Sequence, residues 1–127
     1  MLVIISKLSI FHAFSNLHLA RPEILNLPKH LTFIESQTGS LHCKGKGIPV
    51  PKLIWRKNGE EITSYTKYNI TTIGGMENRK STLQIRNLTY DDRGNFSCTM
   101  KNRKDFQTKT TVLTVQGERA QKSAFNN

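Results

Sequence analysis

The sequence predicts an all-β fold of two face-to-face sheets, and three observations carry the prediction. Short segments alternate apolar and polar residues with period two, as strands with one buried face do. Turn residues such as Gln37-Thr-Gly39, Asn58-Gly59 and Gly74-Gly75 punctuate those segments. Cys43, Trp55 and Cys98 each stand in an alternating segment of their own, Trp55 twelve positions after Cys43 and Cys98 forty-three after Trp55. At 127 residues there is room for one domain. A hydrophobic content of 36% suits strands whose second face meets water.

The elements follow in order. Arg21-Pro-Glu-Ile-Leu-Asn-Leu-Pro28 reads as a first edge strand, because proline is tolerated at an edge and not in a central strand. His30 to Ile34 reads as its continuation, and Gln37-Thr-Gly39 as the turn after it. Ser40 to Lys44 is a strand with Leu41 and Cys43 on one face. Gly45-Lys-Gly-Ile-Pro-Val-Pro51 is a turn-rich connection. Leu53 and Trp55 then point inward, with Ile54 and Arg56 outward. Lys57-Asn58-Gly59-Glu60 is a hairpin signal, since Asn-Gly supplies the positive φ angles of a tight primed turn. Tyr65 to Ile73 is the next strand, and Ser81 to Ile85 follows with Leu83 and Ile85 inward. A corner over residues 87–96 leads into a strand whose Phe96, Cys98 and Met100 share one parity. Gln107 to Val115 closes the sheet with Leu113 and Val115 inward, and residues 117–127 read as a flexible tail.

The corner carries the most specific pattern, Asp92-Arg-Gly94-x-Phe96-x-Cys98. Together with Cys43 and Trp55 it resembles an immunoglobulin domain of the I-set type, over residues 21–116. The resemblance implies a Greek-key sandwich with a Cys43–Cys98 bond between the sheets and Trp55 packed on the sulfurs. It also implies a pairing of Asp92 with a basic residue at the start of the fourth strand, for which Lys67 is the candidate. Gly94 suits a tight backbone position. Phe96 departs from the family's tyrosine, so the corner lacks that hydroxyl's bond to the backbone. For function the resemblance implies a non-enzymatic extracellular recognition module: cell adhesion, or binding a receptor or growth factor. Two alternatives stay open: a secreted protein that binds heparan sulfate or matrix, and a cytosolic structural module of the muscle-filament kind with two free buried thiols.

The net charge is +10, and Lys7 is the only Lys, Arg, Asp or Glu among residues 1–20. Such a balance either simply keeps the domain soluble or favours anionic partners. Arg56 and Lys101 are expected outward on neighbouring strands, with Arg103 and Lys104 in the adjoining loop, a patch suited to heparan sulfate. Nucleic acid has only the charge in its favour and no reading motif. Three sequons, Asn69-Ile-Thr, Asn87-Leu-Thr and Asn95-Phe-Ser, are glycan acceptors if the chain is secreted. Asn69 and Asn95 have solvent-facing parity, and Asn87 falls at a corner.

Residues 1–20 read as a signal peptide or leader, with an apolar run and Ala13 and Ser15 ahead of a cut. Lys7 lies inside that run, and a wrongly assigned start codon is the competing reading. The run is too short to span a membrane. Catalysis has no support: His12 and His18 fall in the leader, His30 at an edge strand and His42 outward beside Cys43, none placed with a serine or free thiol as a nucleophile system. Glu60-Glu61 and Asp91-Asp92 are adjacent pairs at turns. No phosphate loop, cofactor motif or metal-ligand spacing occurs.

Overall fold

A computed structural model describes residues 18–118. The leader assigned to residues 1–20 and the tail assigned to 117–127 therefore lie almost wholly outside the described residues. Nine strands form two sheets: β1 (Ala20–Asn26), β2 (His30–Ile34), β3 (Gly39–Ile48), β4 (Lys52–Lys57), β5 (Glu60–Glu61), β6 (Tyr68–Ile73), β7 (Asn78–Ile85), β8 (Gly94–Lys101) and β9 (Phe106–Gln116). The four-stranded sheet has the order β1-β3-β7-β6 and the five-stranded sheet β2-β9-β8-β4-β5. A 3-10 turn, Tyr90–Asp92, leads into β8.

Alternation builds the core. In β3 the burial pattern switches at every residue from Gly39 to Lys46, which sets Leu41 and Cys43 inward. Trp55, Leu83, Ile85, Phe96, Cys98, Met100 and Leu113 join them from the other strands, all essentially inaccessible. Ile24, Ile62 and Leu88 complete the core from positions that periodicity does not single out. Leu53 is only partly buried, packed at the core's edge. The Asn58-Gly59 hairpin has positive φ at both central residues, 49° and 86°, as a primed turn requires.

The structure corrects the sequence reading in four places. His30 to Ile34 does not continue β1. The chain leaves the first sheet at Leu27-Pro28, where proline has no N–H to donate to a ladder. It crosses to the second sheet, and β2 pairs parallel with β9, His30 opposite Val112 through Ile34 opposite Gln116. Gly45-Lys-Gly-Ile48 is strand, not turn: β3 keeps its pairing with β7 through Lys46 opposite Asn78. Gly45 and Gly47 face inward, and Met100, Pro51 and Asn102 occupy the space beside them. The strand expected from Tyr65 begins at Tyr68, because Tyr65 and Tyr68 exchange backbone hydrogen bonds across a turn. The strand expected from Ser81 begins earlier, at Asn78.

Among the described residues, one buried side-chain group is unsatisfied. Thr111, opposite Phe96, is fully buried, and its hydroxyl has no hydrogen-bond partner. A desolvated, unpaired hydroxyl costs stability. Thr111→Val keeps the β-branched shape and removes the cost. It should raise the unfolding free energy by about 1 kcal/mol, read as a higher urea midpoint at unchanged slope. A lower midpoint would mean that the hydroxyl has a partner in solution.

Candidate functional site

Two groups of residues hold the scaffold on which any binding face rests. In the first, Cys43 and Cys98 are bonded across the sheets, 55 positions apart in sequence. Trp55 is the cross-strand neighbour of Cys98, and Ser81 is that of Cys43. The indole Nε1–H donates to Ser81 Oγ at 2.9 Å, with both groups buried. One covalent bond and one hydrogen bond thus join the same two places in the sheets. The tryptophan's partner was not evident beforehand, since a serine inside an alternating strand carries no sequence signal of its own.

The second group is the corner. The Asp92 carboxylate accepts the Thr89 backbone N–H at 2.7 Å and lies 2.7 Å from Lys67 Nζ. Lys67 also donates to the Asn87 carbonyl at 3.0 Å. Gly94 has φ 149°, and a β-carbon there would come within 2.9 Å of the Asn58 side chain. That side chain accepts the Asn95 N–H at 3.0 Å, so the β4–β5 hairpin and the corner brace each other. Phe96 is fully buried, with the Lys57 ammonium 5.8 Å from its ring centroid. Nearby, burial first, then the Asp92 carboxylate and Tyr65, push the Tyr68 phenol above its ordinary range.

The five-stranded sheet that these braces hold has an open face. Two separate threonine pairs lie on it, six positions apart along β9. Arg56 donates to Thr99 Oγ1 at 3.0 Å, Thr99 and Thr108 share a hydrogen bond of 2.7 Å, and Thr32 and Thr114 share one of 2.8 Å. Thr99 has outward parity as expected, yet it is buried beneath this network. Ile54 and Val112 are half-exposed on the same face.

The structure brings the predicted basic patch together only in part. Arg56 stands opposite Ser97, whereas Lys101 stands opposite Lys52, four positions away along β4 and so about 13 Å distant. Arg103 and Lys104 are exposed in the β8–β9 loop at the Lys101 end. Lys104 leans to the other side of the sandwich, lining a depression with Arg21, Glu23 and Lys46. Lys52 and Phe106 join the Lys101 end, Phe106 directly opposite Lys101 and 62% exposed. Phe106 escaped the sequence reading because the last strand was started one residue late.

The sequons are equally uneven. Asn95 is exposed on the open face, opposite Val112, at the end away from Lys101. Asn69 is half-buried, its amide donating to Gln84 Oε1 at 3.2 Å. Asn87 is exposed at φ 48°.

The sequence pattern of the immunoglobulin I-set domain matches residues 22–115. The chain belongs to this family. Among relatives of the I-set chain, the mouse neural cell adhesion molecule L1-like protein is 33% identical over 65% of this chain and 7% of its own. Rat vascular endothelial growth factor receptor 1 is 35% identical over 72% of this chain and 6% of its own. Chicken smooth-muscle myosin light chain kinase is 29% identical over 76% of this chain and 5% of its own. The chain thus spans less than a tenth of the length of these curated relatives. The solved structure of titin domain M7 superposes with a TM-score of 0.71, at 26% identity, covering 77% of this chain and 96% of that one. Among the described residues of the I-set domain, no helix is long and apolar enough to cross a membrane.

Proposed function

We propose that this I-set domain is a non-enzymatic extracellular recognition module that contacts a protein partner, in the manner of adhesion molecules and receptors. The observation that carries the reading is the Cys43–Cys98 bond, set in the core beside Trp55. Such bonds persist in oxidising compartments and are rare in the cytosol. Relatives whose names include an adhesion molecule and a growth factor receptor support the same reading. The half-apolar open face of the five-stranded sheet is the surface offered to the partner. Two threonine pairs cross it and charged residues frame it, as a polar rim frames protein interfaces. A structural repeat inside an intracellular chain is the second reading, favoured by the likeness to titin domain M7.

Thiol state and glycosylation separate the two. The full chain, expressed from its own start codon in secretory cells, should appear in the medium with no free thiols. Its intact mass should fall on glycosidase treatment, Asn95 being the most exposed strand acceptor. Protein kept inside the cell with both thiols free and no glycan would overturn the extracellular reading and favour the structural one.

A further inference from the structure

We propose that one row across the open face, Lys52, Lys101 and Phe106, is a binding site for a sulfated saccharide. The row is set by register. Lys52 stands opposite Lys101, and Lys101 opposite Phe106, so the three share one face on adjacent strands and span about 10 Å. That is on the order of one disaccharide.

Lys52 and Lys101 are like charges directly opposite each other, an arrangement that costs stability in a sheet. No ion pair relieves either lysine among the described residues. An anion lying between them turns mutual repulsion into shared attraction. The like-charge pair alone does not single out this row, because Lys44 stands opposite Lys80 in the other sheet. Phe106 does. A 62% exposed phenylalanine at the adjoining position offers an apolar ring against which the C–H face of a pyranose can lie. Sulfates on the same sugar would then meet the lysines.

The loop beside the row is already built. Asn102 donates to the Ala20 carbonyl at 2.8 Å and to the Pro49 carbonyl at 3.1 Å. It accepts the Lys104 and Asp105 N–H groups at 2.9 and 3.2 Å. The loop that carries Arg103 is therefore held in place without a ligand, and binding would order little. Asp105, the acidic residue of this loop, is turned to Arg21 at 3.9 Å and to the Phe106 N–H at 2.8 Å. A glycan on Asn95 would cover the Arg56 end of the face. It stands six positions from Lys101 along β8, about 20 Å away, and leaves the row open.

The proposal rests on the extracellular reading for where the sugar is met, but its test does not. The purified full chain is titrated with a heparin-derived octasaccharide in 0.15 M salt, with circular dichroism confirming the fold of each variant. Lys52→Ala/Lys101→Ala should weaken binding about tenfold. Lys44→Ala/Lys80→Ala removes the same charge from the other sheet and should change it less than about twofold. Phe106→Ala should weaken octasaccharide binding about threefold and leave polyglutamate binding unchanged. Equal losses in the two lysine pairs would overturn the site. So would polyglutamate or an oligodeoxynucleotide bound as tightly as the octasaccharide, which would make this face a general polyanion surface. Saccharide binding by a chain that cells fail to secrete would leave the site standing and remove the extracellular reading alone.

Discussion

Replacing Cys43 and Cys98 together by alanine is expected to lower the unfolding free energy by about 4 kcal/mol. The bond closes a loop of 55 positions, and opening it lets the unfolded chain regain the conformations the loop forbids. Both cysteines are fully buried, so the missing sulfurs also leave small voids beside Trp55. Small domains hold about 5–15 kcal/mol in all. The variant should therefore fold but sit near its threshold. Urea unfolding checks this directly: the midpoint should fall sharply, and the slope should rise as the unfolded state expands. A midpoint that scarcely moves would mean that Trp55 and its neighbours hold the sheets together without the crosslink.

The second large effect is expected at the corner. Asp92→Ala should cost about 3 kcal/mol, because it removes the acceptor of the Thr89 N–H and the partner of Lys67 at once. The Lys67 side chain is 30% exposed and can turn to water, so the loss falls mainly on the buried side of the pair. Asp92→Asn keeps an acceptor for Thr89 and should cost about half as much. Lys67→Met should cost about 1–2 kcal/mol, and the double variant less than the sum of the two single changes. A double-mutant cycle in urea measures the difference. If the two changes simply add, the 2.7 Å approach contributes nothing of its own and the corner rests on the Thr89 bond.

Parity was the legible part of this fold. Leu41, Cys43, Trp55, Leu83, Ile85, Phe96, Cys98, Met100, Leu113 and Val115 all face inward as their alternation demands. Asn58-Gly59 announced its turn, and the Asp92–Lys67 pairing followed from the resemblance at the corner. What could not be read were matters that depend on neighbours. Gly45 and Gly47 look like turn residues alone, yet in the sheet their missing side chains are what let Met100 and Pro51 fit. Pro28 marks an edge, but nothing local says that the chain will change sheets there.

The binding face shows the same division. Alternation placed Arg56 and Lys101 on the correct side, but their distance along the sheet comes from register, which the hairpin and loop lengths fix. Outward parity also did not mean exposure at Thr99, where the Arg56 guanidinium closes over a hydroxyl. Phe106 and Lys52 acquire meaning only as neighbours of Lys101, three strands wide and half the chain apart.

The parallel pairing of β2 with β9 also imposes an order on biosynthesis. Thr32 and Thr114, which share a hydrogen bond across it, lie 82 positions apart. At about 5–20 residues per second a ribosome takes on the order of 4–16 s to make the second partner after the first. For that interval β2 has no strand to join, and its Leu31 and Phe33 have no finished core to cover. β3, β4 and β8 carry Cys43, Trp55 and Cys98, and all three are made before β9 is. β9 thus seals the strand that has waited longest.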